Sequence, residues 1–175
     1  MIKTLTAIAA LSLSLGGCAS VGRIPDARLA SGLLQTATGE AAGTVVLRAA
    51  GDHITINVAA IGLRPGTHGM HLHTAGSCQA PGFVSAGGHL NPHGMQHGTA
   101  NPAGSHLGDL PNLVISSGGT GEVTAKLRDS RAAAMAELFD ADGTAIVIHA
   151  DPDDDRTDPS GNSGPRIACA VLQRG

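Results

Sequence analysis

Aromatic and basic side chains are scarce in this sequence. None of the 175 residues is tryptophan or tyrosine, two are phenylalanine, two are lysine, and the formal net charge is −3. Proteins that bind nucleic acids depend on basic patches, and on aromatic rings where they stack single-stranded bases. We therefore expect no nucleic-acid partner.

Charged residues are also few, at 14%, whereas 42% of the chain is apolar. A disordered chain has the opposite balance, so we predict a folded protein, and the length is that of one domain. Glycine is abundant, with 25 residues, but it follows no three-residue period, which excludes a collagen-like chain. Histidine is the other frequent type, with nine residues, most of them between positions 68 and 106.

The first residues have the pattern of an export signal. Lys3 precedes an apolar run at 5–15 that is too short to span a bilayer, and the run leads into Leu-Gly-Gly-Cys at 15–18. This ending resembles the cleavage motif of bacterial lipoproteins, which predicts that 1–17 is a signal peptide and that Cys18 is lipidated. An ordinary secretory signal followed by a chance cysteine is the alternative.

The predicted lipid anchor carries expectations about location. Residues 18–33 are expected to form a tether, with the folded domain at 34–175. The protein would then lie in the bacterial cell envelope, in the periplasm and attached to a membrane. Ala19 stands where an aspartate would favour retention in the inner membrane, so we expect the outer membrane.

Alternating side chains predict an all-β fold. At 53–60, Ile54, Ile56 and Val58 fall on one face, which is typical of a half-buried strand. Further short runs bounded by turn-forming residues predict strands at 44–49, 67–73, 112–116, 121–127, 145–149 and 166–172. Such a series predicts an antiparallel sandwich or barrel, with a turn or a single helical segment at 131–138.

Two stretches, 74–111 and 150–165, do not fit strands. Loops of this length in a compact domain are usually functional. The first contains four residues of metal-ligating type: His89, His97, His106 and Asp109. Zinc binds three imidazoles and a carboxylate tetrahedrally. No cysteine lies among these residues and no His-Glu-x-x-His helix is present, which excludes a zinc ribbon and a zincin.

Three further histidines lie at the ends of predicted strands. His71 and His73 are two residues apart, so on a strand they point to the same side, where two imidazoles can bind one metal ion. A solvated pair on a polar face is the alternative. His149 follows the apolar run 145–148 and precedes several aspartates, which are candidate partners for the second N–H of a metal-bound imidazole.

These residues stand in motifs that resemble, in order and spacing, those of copper/zinc superoxide dismutases. The resemblance covers about 34–173. The motifs are His68-Gly-Met-His-Leu-His73, Gly87-Gly-His-Leu-Asn-Pro92, His97-Gly98, His106-Leu-Gly-Asp-Leu-Pro-Asn112, Val147-Ile-His-Ala150 and Gly164-Pro-Arg-Ile-Ala-Cys169. The family's fold implies a Greek-key antiparallel β-sandwich, or flattened barrel, of about eight strands with two long functional loops.

The resemblance also implies a site for two metal ions. The implied copper ligands are His71, His73, His89 and His149. The implied zinc ligands are His89, His97, His106 and Asp109, so His89 would bridge the two ions through its two ring nitrogens. Four imidazoles suit copper(II), and the closed set of three histidines and a carboxylate suits zinc.

Two further roles follow from the same resemblance. Asp153 matches the aspartate that links a copper ligand to a zinc ligand, although Asp151 and Asp154 lie close enough in sequence to be alternatives. Arg166 matches the arginine beside the copper, which gives a small anion a fixed charge and hydrogen-bond donors.

The implied activity is dismutation of superoxide to dioxygen and hydrogen peroxide, with superoxide as substrate and copper and zinc as cofactors. Cys78 and Cys169 would form the family's intrasubunit disulfide, which suits an oxidising compartment. The alternative is a non-catalytic copper/zinc-binding envelope protein; the presence of all seven ligands and Arg166 favours the enzyme. We expect a monomer or a homodimer.

Basic residues that could steer the anion are few. The 74–88 segment has neither lysine nor arginine, and the 151–158 segment has five aspartates and only Arg156. We therefore expect weaker electrostatic steering than in a lysine-rich relative.

Overall fold

The computed structural model describes residues 27–175. The predicted signal peptide 1–17, Cys18 and the tether up to residue 26 lie outside the described residues. Within 27–175, no helix is both long and apolar enough to cross a membrane.

The described part of the chain is all-β with one short α-helix, as predicted. The strands are β1 (Arg28–Thr36), β2 (Ala41–Ala50), β3 (His53–Ile61), β4 (Gly66–His68), β5 (Met70–His73), β6 (Leu113–Ile115), β7 (Thr120–Lys126), β8 (Ala145–His149), β9 (Arg166–Val171) and β10 (Gln173–Arg174). The helix α1 is Arg131–Leu138, and a single 3-10 turn covers Val84–Ala86.

The strands form one curled half-barrel sheet and a small second sheet. The large sheet has the order β5-β8-β9-β1-β2-β3-β7, and its neighbouring strands are antiparallel. β10 pairs with β1, and β4 pairs with β6 in the small sheet. Strands far apart in sequence are therefore neighbours, as β5 and β8 are, which requires the long connections of a Greek key.

The core consists of aliphatic side chains rather than aromatic ones. On β3, Ile54, Ile56 and Val58 are buried, as their alternation predicts. Leu47 on β2 and Leu34 on β1 are buried in the same cluster. Full burial of a side chain of this size contributes about 1.5–3 kcal/mol. A core of Val, Ile and Leu thus stabilises the sheet without tryptophan or tyrosine.

β5 and β8 position the site because their alternation separates core side chains from histidines. On β5, Met70 and Leu72 pack into the main core, so His71 and His73 fall on the other face. β8 is the antiparallel neighbour of β5, and its register places His149 at its end on that same face. The two strands therefore bring three of the predicted copper ligands to one place.

Two local predictions were wrong. Residues 28–33, expected in the tether, belong to β1 in the large sheet. The inward positions of this strand include the small residues Ala30 and Gly32, and the backbone of Val171 lies against Gly32. The apolar alternation of β1 is therefore weak.

The other wrong prediction is the single strand at 67–73. It is split at Gly69 into β4 and β5, which pair in different sheets. A β-carbon at Gly69 would collide with the Ser163 side chain, so the absence of a side chain allows the 150–165 loop to pack against the break.

Candidate metal centre

The 74–111 loop is held against β5 by backbone hydrogen bonds to Leu72. The carbonyl of Leu72 accepts from the N–H of Leu90 (2.8 Å), and the N–H of Leu72 donates to the carbonyl of Gly108 (2.9 Å). The first contact sets His89 opposite His73. The fold of the loop, which sequence alone did not predict, thus brings a loop histidine to the strand histidines.

Four histidine rings meet on this face: His71, His73, His89 and His149. One ring nitrogen of each lies within 4.8 Å of the others. Nδ1 of His71 and Nε2 of the other three are buried and have no hydrogen-bond partner within 27–175. One such orphaned buried group costs about 1–3 kcal/mol. Four converging ring nitrogens without hydrogen-bond partners are the arrangement expected of metal ligands, and a set of four imidazoles suits copper.

The outward nitrogens of three of these rings are each held by an acceptor. His73 donates Nδ1–H to the carbonyl of Gly87 (3.0 Å), and His149 donates Nδ1–H to that of Gly164 (3.0 Å). His71 instead donates Nε2–H to a carboxylate oxygen of Asp153 (2.6 Å). Such contacts fix the tautomer and leave the inward nitrogen with a free lone pair, as metal ligation requires.

A second group adjoins the first: His89, His97, His106 and Asp109. Nδ1 of His97 lies 2.9 Å from Oδ1 of Asp109, and Nδ1 of His89 and of His106 each lie 3.2 Å from that oxygen. Three nitrogens and one oxygen around a point are a closed ligand set that suits zinc. His89 belongs to both groups, with Nε2 in the first and Nδ1 in the second.

Asp153 joins the two groups. Its Oδ2 accepts from His71 (2.6 Å) and its Oδ1 from Nε2 of His97 (3.0 Å). Of the three aspartates that the sequence left open, only Asp153 bonds to these rings within residues 27–175, and the Asp154 carboxylate bonds within its own loop. The backbone of Asp153 is fixed by the Asn112 side chain, through bonds of 2.8 and 2.9 Å.

The pKa values follow from this geometry. Burial lowers the pKa of His71 to about 3, of His73 to about 2 and of His149 to about 4, although the hydrogen bonds behind each ring oppose the shift. These rings are therefore neutral at pH 7, with lone pairs free. Burial also acts to lower the pKa of His97, but hydrogen bonds to Asp109 and Asp153 outweigh it and raise this pKa to about 10.

Arg166 lies beside the first group and is fixed by the 74–111 loop. Nη1 donates to the carbonyl of Phe83 and Nη2 to that of Gly87, both at 2.7 Å. The carbonyl of Gly87 thus accepts from both Arg166 and His73. Partial burial lowers the pKa of Arg166. The ordinary pKa of a guanidinium is so high that the group nevertheless stays charged at pH 7.

The predicted disulfide is confirmed. Cys78 in the 74–111 loop is bonded to Cys169 on β9, with 5.7 Å between the Cα atoms. Because Arg166 begins β9 and its guanidinium bonds to the same loop, the disulfide ties together the two elements that hold this arginine.

The 150–165 loop covers the second group through contacts that sequence patterns did not reveal. A carboxylate oxygen of Asp158 accepts from the N–H of His97 (2.6 Å), and the carbonyl of Asp155 accepts from the N–H of Ala100 (3.0 Å). Gly98 has a φ of +106° and lies directly against the carbonyl of Asp155. A side chain there would force the two loops apart.

Residues 41–172 match the family model described as copper/zinc superoxide dismutase (SODC). The chain belongs to the copper/zinc superoxide dismutase family. It is accordingly an oxidoreductase of the superoxide dismutase class, and copper and zinc are the metals that this family uses. The structure brings all seven predicted ligands into the two groups that these metals need.

Curated relatives cover most of the chain. A Cu-Zn superoxide dismutase of Deinococcus radiodurans is 36% identical over 99% of this chain and 98% of its own. One from Caulobacter vibrioides is 37% identical over 82% and 85%. The superoxide dismutase-like protein YojM of Bacillus subtilis is 41% identical over 77% and 70%.

Two solved structures from other bacteria are similar to this chain. The crystal structure of a SOD-like protein from Bacillus subtilis has a TM-score of 0.78 at 39% identity, covering 84% of this chain and all of that one. The Cu/Zn superoxide dismutase from Brucella abortus has a TM-score of 0.65 at 26% identity, covering 82% of this chain and 98% of its own.

Proposed function

We propose that the protein converts two superoxide ions and two protons into dioxygen and hydrogen peroxide. Copper would be held by His71, His73, His89 and His149. Zinc would be held by His89, His97, His106 and Asp109. The observation that carries the proposal is the set of four buried ring nitrogens that converge without partners.

Bound copper supplies one-electron chemistry, taking an electron from one superoxide and giving it to a second, whereas zinc has no redox chemistry of its own. The chain's part is to hold the ligands. The carbonyls of Gly87 and Gly164 and the carboxylate of Asp153 keep three rings in one tautomer. The site therefore needs little reorganisation between substrates.

Arg166 docks the anion. Its guanidinium is held at two points by backbone carbonyls, so its remaining N–H donors face a fixed direction beside the histidine group. A small anion such as superoxide gains both charge neutralisation and hydrogen bonds there.

His89 moves a proton. With Nδ1 held in the zinc group, Nε2 can accept a proton when it is not engaged with metal, and can deliver it to the product. Nε2 of His89 is buried and has no hydrogen-bond partner within 27–175, so no neighbouring acceptor competes with the product for that proton.

The proposal is tested by measuring superoxide decay together with metal content. The purified protein should accelerate decay, lose the activity when copper is removed and regain it when copper is returned. His149→Ala should lose copper and activity but retain zinc, since His149 is absent from the second group. Bound copper without turnover would favour the non-catalytic copper/zinc-binding alternative.

We further propose that the enzyme acts in the bacterial cell envelope, tethered to the outer membrane by a lipid on Cys18 after removal of 1–17. Cys18→Ser should block labelling by radioactive palmitate and move the protein from the membrane to the soluble fraction. Unchanged labelling and fractionation would contradict the anchor.

The mature chain would be a monomer or a homodimer, which sedimentation would distinguish.

A further inference from the structure

A tight turn displays two potential copper ligands at the surface, outside the histidine groups described above. The side chain of Asn91 closes the turn: it accepts from the N–H of Met95 (3.0 Å) and donates to its carbonyl (2.8 Å). Gly94, inside the turn, has a φ of +61°, which favours glycine. The turn thus fixes the backbone that presents His93 and Met95, two residues apart.

His93 is bonded in the same manner as the buried histidines. Its ring donates Nε2–H to Oδ2 of Asp129 at 2.9 Å. A carboxylate behind one ring nitrogen is the usual support of a metal-bound imidazole, because it fixes the tautomer and raises the basicity of the other nitrogen. Nδ1 of His93 has no hydrogen-bond partner among residues 27–175, and the side chain is 52% exposed.

The two side chains line one cavity. It has a volume of about 240 Å³ and is lined by His93, Met95, Ser105, Leu107, Arg128 and Asp129. Met95 is 39% exposed there, whereas Met70 is buried in the core. The Arg128 guanidinium donates to the hydroxyl of Ser105 (2.6 Å), so its charge is engaged at one wall.

The ligand chemistry selects the metal. A thioether and an imidazole are soft or borderline neutral ligands that suit copper(I), whereas calcium and magnesium require oxygen ligands. One carboxylate and one guanidinium in the wall cancel in formal charge, which disfavours a divalent ion more than a monovalent one.

We propose that His93 and Met95 form a surface site for one copper(I) ion, supported by Asp129 and separate from the buried ligand groups. His93 provides Nδ1 and Met95 provides Sγ. The site is independent of the dismutase proposal, because none of its residues belongs to either buried group.

The test uses Ag⁺ as a redox-inert stand-in for copper(I). The copper- and zinc-loaded protein is dialysed against Ag⁺ in chloride-free buffer, and silver, copper and zinc are then measured together. We expect one silver ion per chain with copper and zinc retained. His93→Gln and Met95→Leu should each weaken silver binding at least tenfold, while the matched control Met135→Leu, on α1 outside the cavity, should leave it unchanged.

Thermal unfolding of each variant, measured without silver, shows whether the exposed substitutions leave the fold intact. Three outcomes overturn the proposal: no silver bound beyond the amount retained by the double variant of His93 and Met95, silver bound only as copper or zinc is displaced, or silver affinity unchanged by either single substitution in folded protein.

Discussion

At the residue scale, the acceptor behind each imidazole decides which nitrogen is free. The rings of His71, His73 and His149 donate outward to a carboxylate or a carbonyl, and the opposite nitrogens converge. The sequence predicted which side chains come together in the two groups, because a strand's two-residue period and the family motifs suffice for that. It did not identify Gly87, Gly164 or Asn112 as supports, since these contacts join segments far apart in the chain.

Asp153 supports two of the predicted ligand rings without being a predicted ligand itself, so its substitution tests the effect of that support on metal binding. Asp153→Asn removes the shared charge between His71 and His97, so zinc affinity should fall about 10–100-fold. Competition with a chelator measures it. Asp154→Asn is the matched control, because that carboxylate bonds only within its own loop. Equal affinities for the two variants would contradict the linking role.

Arg166 should affect rate rather than metal content. Arg166→Ala removes the docking charge and should lower kcat/KM about tenfold or more, with copper and zinc unchanged by elemental analysis. Arg166→Lys should recover only part of the loss, because an ammonium cannot bond both Phe83 and Gly87 and also face the anion in a fixed fork. An unchanged rate in Arg166→Ala would show that the arginine does not dock the substrate.

At the element scale, strands with strong apolar alternation were predicted and the weak or interrupted ones were not. The strand 145–149 was predicted to the residue, and the segment 131–138 is the helix α1. β1 was missed because Ala30 and Gly32 occupy inward positions. The break at Gly69 was missed because it depends on Ser163, 94 positions further on.

The disulfide joins a loop to a strand, so its loss should affect stability and rate together. The cysteines are 91 positions apart, and closing a loop of that length stabilises the fold by about 4–5 kcal/mol in the chain-entropy model. The double variant of Cys78→Ser and Cys169→Ser should unfold at a lower denaturant concentration. Its free energy of unfolding should be lower by up to this amount. Its rate should also fall, as the loop that holds Arg166 loosens. Unchanged stability would contradict the estimate.

At the scale of the whole molecule, the metal-free protein should be most stable near pH 6.5. Below that pH the unfolded chain binds protons on His71, His73 and His149, whose folded pKa values are about 3, 2 and 4. Stability is therefore lost as pH falls, by about 1.4 kcal/mol per pH unit for each ring. His97, with a folded pKa of about 10, contributes stability that is lost as pH rises from 6.5 through 10.

Denaturant unfolding across pH measures this profile. Bound metal requires unprotonated rings, so loading with copper and zinc should remove the decline above pH 6.5. A metal-free protein whose stability is flat between pH 4 and 6.5 would contradict the burial of neutral histidines.

The charge distribution of the molecule predicts a shallow response to salt. The two long loops contain one basic residue, Arg156, and six aspartates. With little attraction to screen, kcat/KM should change by less than about twofold between 10 and 150 mM salt, although the screening length shortens from about 30 to about 8 Å. Stopped-flow superoxide decay measures it, and a steep fall with salt would reveal steering by basic residues outside the loops.

The most direct test of the central claim is a copper titration of the zinc-loaded protein, with superoxide decay measured at each addition. The rate should rise in proportion to the copper bound and level off at one copper per chain. Copper bound to that level without acceleration of superoxide decay would contradict it.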